Sequence, residues 1–296
     1  KIKDGHGRFY QNNVKHQELF SGPFKILKKE DRFFIYNSQD EIFTEGDELL
    51  SIDGESTTTL YEKYFSEIAG SPQWKSFITT YDRLSFYAKG TSHHCVIKRE
   101  EEKIKVKYIA NYLPKYSKEK NLKFKIHDKT AYFNLNLIDF NFFKEKIDSI
   151  DTNVNSIVFD LRFYPSFELI DFIASITKDT IYSDNFISPK IVHPFSYKHA
   201  SFIENGIKEH WTIYPSSYRI TKPVSFLISS GSQSYSESII SLVKENNLGQ
   251  LIGEKTAGCN GDMEVVLLPS GNLFYFTTKY TQTQSKSCYF IKGIET

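Results

Sequence analysis

The segment that most constrains the fold runs from residue 223 to residue 244. Residues 223–228 are an apolar run that predicts a buried strand, and a loop of small residues, 229–234, follows it. Apolar residues then recur at helical spacing, at Ile239, Ile240, Leu242 and Val243. A buried strand that leads directly into a helix is typical of a fold in which strands and helices alternate.

Ser234 lies where this loop meets the predicted helix, and it has two interpretations. The free N–H groups and the positive dipole end of a helix N-terminus suit a developing oxyanion, so Ser234 is a candidate nucleophile. Ser234 with Glu237 three residues later also fits a capping box, in which the serine only begins the helix. This segment by itself favours capping.

From about residue 122 the sequence alternates between strand and helix patterns. The predicted strands are 131–135, 156–162, 223–228 and 251–253, and the predicted helices are 141–150, 167–177 and one that starts at 234. Residues 181–220 are irregular and predict a long excursion of the lid type. Two last strands, 264–268 and 273–280, follow. The pattern predicts an α/β fold with a βαβ-type core and a mostly parallel sheet.

The preceding part of the chain has a different pattern, which is rich in short strands. Strands are predicted at 24–27, 32–36, 45–54, 94–98 and 104–108, with one helix at 58–69, and together they predict a small β-rich domain. The predicted organisation is a remnant of an N-terminal segment at 1–20, the β-rich domain at 21–110 and the α/β core at 111–296.

Composition excludes several classes of protein. The net charge of +1 provides no global field for nucleic acid, and no apolar run is long enough to span a bilayer. The three cysteines, Cys95, Cys259 and Cys288, match neither a zinc site nor a disulfide framework. The sequence therefore predicts no metal and no cofactor.

Four motifs, in this order, resemble those of the tail-specific proteases, also called C-terminal processing peptidases, and of their tricorn-like relatives. The motifs are Gly46-Asp47 to Asp53-Gly54, Asp160-Leu161-Arg162, Ser234-Tyr235-Ser236-Glu237 and Gly253-Glu254-Lys255-Thr256-Ala257-Gly258. The resemblance implies a core similar to crotonase and ClpP, a PDZ-like domain at 21–110 that binds the C-terminus of a peptide or protein substrate, and Ser234 as nucleophile.

The general base is the first point at which the motifs divide. The processing peptidases use a lysine at the place where this chain has Cys259, and Lys255 stands four residues earlier. The tricorn-like relatives use a histidine before the PDZ domain, where this chain has Asp4-Gly5-His6. The resemblance therefore favours His6 as the base, because an imidazole serves as base and then as acid near neutral pH. Lys255 is the alternative, and His193, His199 and His210 in the excursion are weaker ones.

The remaining members of the site are less defined by the sequence. The candidates for a carboxylate that orients the base are Glu237, Asp262, Glu264 and Glu295. The resemblance implies that the backbone N–H of Tyr235 and that of Ser166 hold the oxyanion, although Ser166 and Phe167 replace the two glycines of the family.

The predicted function is that of a serine endopeptidase that is exported to the periplasm or cell envelope. The alternative is a catalytically weak or inactive homologue that binds peptides through the PDZ-like groove. The resemblance leaves the oligomeric state open, and no motif supports a third class, a glycan-binding protein.

Overall fold

The computed structural model describes residues 3–11, 19–112, 122–150, 153–188 and 206–296. Its first nine strands are β1 (Arg8–Tyr10), β2 (Leu19–Ser21), β3 (Lys25–Lys29), β4 (Arg32–Tyr36), β5 (Glu48–Ile52), β6 (Glu55–Ser56), β7 (Phe86–Ala88), β8 (Ser92–Arg99) and β9 (Glu102–Ile109). The others are β10 (Phe124–His127), β11 (Thr130–Asn134), β12 (Ser156–Asp160), β13 (Ile181–Tyr182), β14 (Asn185–Ser188), β15 (Ile207–Glu209), β16 (Thr212–Ile213), β17 (Val224–Ile228), β18 (Gln250–Gly253), β19 (Met263–Leu267), β20 (Leu273–Thr277) and β21 (Tyr280–Gln282). The helices are α1 (Thr57–Glu67), α2 (Pro72–Ile78), α3 (Phe140–Asp148), α4 (Ile170–Ile176) and α5 (Tyr235–Glu245), and a π-helical turn, Thr79–Arg83, follows α2.

The chain divides into two compact units. The larger comprises Lys1–Tyr10, Ala69–Trp74 and Leu122–Thr296, and the smaller comprises Gln11–Ile68 and Lys75–Asn121. The sequence predicted residues 1–20 to be a remnant of an N-terminal segment, and the structure places Arg8–Tyr10 of this range in a sheet of the larger unit. These three residues form β1, which pairs antiparallel with β20 so that Phe9 stands opposite Phe274.

The larger unit is built on a five-stranded sheet in the order β10-β11-β12-β17-β18. The β10–β11 pair is antiparallel, and the other three pairs are parallel. Five phenylalanines with no exposed side chain fill the core around this sheet: Phe133, Phe143, Phe159, Phe172 and Phe226. Helix α3 begins at Asp139, whose carboxylate accepts a hydrogen bond from the Phe142 amide at 2.8 Å and so caps the helix. Because α5 follows β17, the loop with Ser234 lies at the carboxyl end of a central strand, where α/β sheets place their ligands.

The predicted excursion at 181–220 contains four short strands, β13 to β16, in its described parts. The strand predicted at 273–280 is two strands, β20 and β21, which belong to different sheets. The former pairs with β1 and β19 and the latter with β14. His193 and His199, and the central part of the predicted lid, lie outside the described residues.

The smaller unit contains an antiparallel sheet in the order β3-β4-β5-β8-β9, with β6 paired to β5. Its own core is made of apolar side chains from these strands and α1, including Ile35, Leu49 and Ile97. Helix α1 begins at Ser56, whose hydroxyl accepts from the Thr59 amide at 3.1 Å. The mixed α/β class is thus confirmed, while the identification of this unit as a PDZ-like domain stays a prediction.

None of the helices in the described ranges is both long and apolar enough to cross a membrane.

Candidate active site

Ser234 occupies a strained turn between β17 and α5. Its backbone angles are φ 53° and ψ −118°, a region that residues other than glycine rarely adopt. Such strain costs about 1–3 kcal/mol and persists only where the surroundings impose it, as at the sharp strand-to-helix turn of a nucleophilic serine. The Ser234 hydroxyl forms no capping hydrogen bond, and its amide donates to the Cys259 carbonyl at 2.8 Å. In the predicted capping box the Ser234 hydroxyl would accept a hydrogen bond from a backbone amide of the helix. This bond is not formed, so the hydroxyl does not serve as a helix cap.

Three neighbouring serines hold the turn by binding three successive carbonyl oxygens after β12. The hydroxyl groups donate from Ser232 to Leu161 (2.7 Å), from Ser229 to Arg162 (2.8 Å) and from Ser236 to Phe163 (2.8 Å). These bonds fasten the loop to the neighbouring strand on both sides of Ser234. They account for the abundance of serine in the segment, since each bond needs a short hydroxyl side chain.

Glu237 is a fully buried carboxylate that fixes the loop after β18. It accepts hydrogen bonds from the Thr256 hydroxyl at 2.5 Å and from the amides of Gly258 and Cys259 at 2.7 Å each. Burial raises the pKa of Glu237 to about 7, although the hydrogen bonds from Thr256 and the neighbouring amides act in the opposite direction. Glu237 therefore positions the loop that binds the Ser234 amide.

His6 is held by a chain of hydrogen bonds that determines which of its ring nitrogens carries a proton. The Thr277 hydroxyl donates to Asp4 Oδ1 at 2.7 Å, because a carboxylate can only accept. His6 Nδ1 lies 2.9 Å from the same hydroxyl oxygen and must be the donor in that contact. Nδ1 therefore carries the proton, and Nε2 of the neutral ring has a free lone pair, as a general base requires.

The surroundings of His6 also favour its neutral form. Burial lowers the pKa of His6, the charge of Asp4 raises it, and the charge of Arg8 lowers it. Asp4 is further fixed by the amides of His6 at 2.9 Å and Thr277 at 2.8 Å. Asp4 and Thr277 were not among the site residues predicted from the sequence. The only signal for the former was its place next to Gly5-His6, and the sequence carried none for the latter.

Cys259 contacts the segments of both predicted catalytic residues. A Cβ atom added to Gly5 would lie 2.7 Å from Cys259 Sγ, so the backbone beside His6 packs directly against this thiol. The Cys259 carbonyl accepts the hydrogen bond from the Ser234 amide. No hydrogen bond joins His6 to Ser234 within the part of the chain that the structure describes. Burial raises the pKa of the Cys259 thiol, which keeps it protonated and unreactive.

The two predicted oxyanion donors are the backbone amides of Tyr235 and Ser166, and they differ in whether a protein acceptor already binds them. Tyr235 is the first residue of α5, where an amide has no partner within the helix, and among the described residues it has no other acceptor. The Ser166 amide instead donates to the Leu135 carbonyl at 3.1 Å, and its hydroxyl also binds main-chain carbonyls. Ser166 is therefore not a free donor, because the chain after β12 turns its amide back to the end of β11.

Three further candidates lie away from Ser234. Lys255 Nζ is 2.5 Å from Glu295 Oε1, and both line a separate cavity that Ser234 does not reach. In the structure these two side chains therefore pair with each other and not with Ser234 or His6. Glu264 is exposed on β19, opposite Phe276 on β20.

Asp160 and Arg162 have a structural role. The buried carboxylate of Asp160 accepts from the guanidinium of Arg162 at 2.6–3.1 Å, from the amide of Arg162 at 3.0 Å and from the Tyr132 hydroxyl at 2.7 Å. The cluster braces the end of β12, from which the three carbonyls that bind the serine loop extend.

A cleft of about 450 Å³ opens at Ser234. One wall consists of aromatic rings: Tyr164, Phe186, Trp211 and Tyr235. Lys279 also lines the cleft, and its Nζ lies 3.0 Å from Glu209 Oε2 and 2.8 Å from Asp262 Oδ2. His210 also lines the cleft, with its ring edge-on to Tyr182. The described residues contain no group of three or more metal-ligating side chains close enough to hold an ion.

Comparison with known proteins agrees with this architecture. The sequence profile of peptidase family S41 matches residues 129–296. The structure of mature CPAF complexed with lactacystin is similar, with a TM-score of 0.71 and 12% identity over 99% of this chain and 80% of that one. A photosystem II D1 C-terminal processing protease has a TM-score of 0.51 and 13% identity, over 99% and 77% of the two chains. No curated protein sequence matches the chain.

Proposed function

Because this chain belongs to peptidase family S41, whose members include the C-terminal processing peptidases, we propose that it is a serine endopeptidase of the tail-specific type. As a member of this family it is a serine peptidase and hence a hydrolase. The proposal adds the catalytic residues, with Ser234 as nucleophile and His6 as general base.

The observation that carries the proposal is the backbone of Ser234. Ser234 has φ 53° and ψ −118°, its hydroxyl makes no capping hydrogen bond, and it lines a cleft. Strain of this kind clusters at catalytic residues, where it presents the side chain to the substrate.

In the proposed reaction, His6 Nε2 takes the proton from the Ser234 hydroxyl as Oγ attacks the substrate carbonyl carbon. The positive charge that develops on the imidazole is balanced by Asp4 through the Thr277 hydroxyl, since Nδ1–H donates to that oxygen. Asp4 and Thr277 would therefore do together what a single aspartate does in a Ser-His-Asp triad.

The oxyanion would be held by the Tyr235 amide at the positive end of α5. His6 then donates its proton to the leaving amine, and the acyl group remains on Ser234. A water molecule, deprotonated by the same imidazole, hydrolyses this ester and restores the enzyme. Each donor in such a site contributes roughly 100- to 1000-fold to the rate, so an enzyme with Tyr235 as its only oxyanion donor would be slow.

We further propose that the smaller unit is PDZ-like and binds the C-terminus of the substrate. The support is the sequence resemblance over residues 45–54 and the antiparallel sheet in which they lie. Peptides with a free C-terminal carboxylate should be cleaved faster than the same peptides with a C-terminal amide. Equal rates would contradict this part of the proposal and leave the catalytic residues unaffected.

The test of the active site is labelling with a fluorophosphonate probe, which reacts with activated serines. The wild-type protein should be labelled, and Ser234→Ala and His6→Ala should not. Thr277→Val should slow labelling about 10- to 100-fold, because the Nδ1–H group loses its acceptor. The matched control, Thr277→Ser, keeps the hydroxyl and should react at close to the wild-type rate. Lys255→Ala should also be labelled normally.

Two outcomes would contradict the proposal. Labelling of Ser234→Ala would place the nucleophile elsewhere. A folded wild-type protein that takes no label, yet binds peptides, would favour the alternative function, a catalytically inactive peptide-binding homologue.

A further inference from the structure

We propose that the cleft beside Ser234 holds the side chain of the substrate residue whose carbonyl is attacked, and that it selects a large aromatic side chain. The inference rests on the proposed function and deepens it, because it names the residue that precedes the cleaved bond.

The aromatic wall of the cleft is continuous. Ring centroids are 6.3 Å apart for Tyr164 and Tyr235, 5.7 Å for Tyr235 and Trp211, and 5.1 Å for Trp211 and Phe186. These spacings are typical of tilted and edge-to-face aromatic pairs. A fifth ring inserted beside this wall would gain the same type of contact, which a small or aliphatic side chain could match only in part.

Hydrogen bonds fix the ring of Tyr235 and the backbone of Trp211. The Tyr235 hydroxyl accepts a hydrogen bond from the Leu169 amide at 2.8 Å, which fixes the far end of its ring. The Trp211 amide donates to the Ser183 hydroxyl at 2.8 Å, and the Trp211 carbonyl accepts from the Ser183 amide at 3.0 Å. The wall is therefore formed before a ligand enters, which reduces the entropy lost on binding.

Asn260, a buried residue that lines the cleft, makes its hydrogen bonds within the protein. Asn260 Nδ2 donates to Ser238 Oγ at 2.9 Å and to the Tyr289 hydroxyl at 2.6 Å, and Asn260 Oδ1 accepts from the Gly261 amide at 2.7 Å. Because Asn260 already makes these bonds, it offers little compensation to a polar substrate side chain that gives up its water. This argues against a polar occupant, because an unpaired buried polar group is costly.

The charges at the rim exclude an acidic occupant. Lys279 lies between two carboxylates, those of Glu209 and Asp262, so the group as a whole has an excess of one negative charge. A basic side chain would have to compete with Lys279, which already pairs with both. An uncharged aromatic side chain avoids both conflicts.

The position of the cleft assigns it to the residue before the cleaved bond. Ser234 and Tyr235 both line it, and in the proposed reaction they bind the carbon and the oxygen of the attacked carbonyl. The side chain of the same residue is the part of the substrate that lies nearest to this wall.

The experiment compares peptides that differ only at the residue before the cleaved bond, with Phe, Leu, Ala, Arg or Asp at that position. The wild-type protein should have its highest kcat/KM with Phe and its lowest with Asp. In Trp211→Ala, the ratio of kcat/KM for the Phe and Ala peptides should fall roughly 10- to 100-fold. The matched control is Tyr214→Ala, which removes an exposed aromatic ring that does not line the cleft and should leave this ratio unchanged.

A preference for Arg or Asp, or a ratio that Trp211→Ala does not change, would overturn the inference. Peptide binding to the Ser234→Ala variant distinguishes a failure of this inference from a failure of the proposed function. That variant cannot form an acyl-enzyme, yet it should bind the Phe peptide more tightly than the Ala peptide. The added Trp211→Ala change should remove the difference. If the wild-type protein takes no fluorophosphonate label but this difference is present, the catalytic proposal fails and the aromatic subsite stands.

Discussion

The strain at Ser234 can be measured by comparing two substitutions that both abolish the nucleophile. Ser234→Ala keeps the Cβ atom and hence the strain, and Ser234→Gly removes both. Since the Ser234 hydroxyl makes no capping hydrogen bond, Ser234→Ala should be within about 0.5 kcal/mol of the wild-type free energy of unfolding.

The gain in the free energy of unfolding that is expected for Ser234→Gly follows from the backbone angles of Ser234. A residue other than glycine at φ 53° and ψ −118° loses about 1–3 kcal/mol to strain. Glycine costs about 0.5–1 kcal/mol more than alanine in lost backbone freedom on folding. With about 2 kcal/mol of strain relieved and about 0.75 kcal/mol lost to the flexibility of glycine, Ser234→Gly should be more stable than Ser234→Ala by about 1 kcal/mol. At roughly 2–4 °C for each kcal/mol, the melting temperature should rise by about 2–4 °C.

Thermal denaturation of the two variants side by side provides the measurement. The matched control is Ser230→Gly, since Ser230 lies in the same loop but is not among the residues with positive φ. That change should lower the free energy of unfolding by about 0.5–1 kcal/mol. The reasoning is refuted if Ser234→Gly is no more stable than Ser234→Ala, or if Ser230→Gly stabilises the protein equally.

Two further predictions concern His6 and its neighbours. Gly5→Ala should slow fluorophosphonate labelling and lower the free energy of unfolding by about 1–3 kcal/mol, because the new methyl group clashes with the Cys259 thiol. Adding Cys259→Ala should restore part of the labelling rate and part of the stability. If neither recovers, this contact is not the cause. The rate of labelling should fall at acidic pH as His6 takes up a proton. Asp4→Asn should move this fall to lower pH, because the Asp4 charge raises the pKa of His6, and Arg8→Gln should move it to higher pH, because the Arg8 charge lowers that pKa. Shifts of the same sign in both variants would show that another group controls the rate.

Much of the local structure was predictable because it depends on short stretches of sequence. The strand at 32–36 has the predicted bounds, and the helix predicted at 58–69 is present as α1, Thr57–Glu67. The strand, loop and helix around Ser234 were predicted from apolar spacing alone, because burial of an apolar face determines both elements. Residues 181–220 were less predictable, since the described strands there are only two to four residues long and one of the two sheets they form includes a distant strand, β21.

The site was predictable only where its members share a motif. Ser234 and Tyr235 are adjacent in sequence, so one local pattern indicated both. Ser166 was predicted from its place after the Asp160-Leu161-Arg162 motif. The sequence carried no information on the direction of its amide, which the packing against β11 decides.

The sequence by itself determined the α/β class and the strand, loop and helix around Ser234, because apolar spacing within each element decides which face is buried. His6 became a candidate only through the family resemblance. The tertiary structure decided what surrounds them. Asp4 and Thr277 are 273 positions apart and meet only because β1 pairs with β20. Lys255 and Glu295 were both candidates for the site until folding placed them in contact with each other. The aromatic wall likewise comes from four separate segments, and no local pattern encodes contacts between residues that chain folding alone brings together.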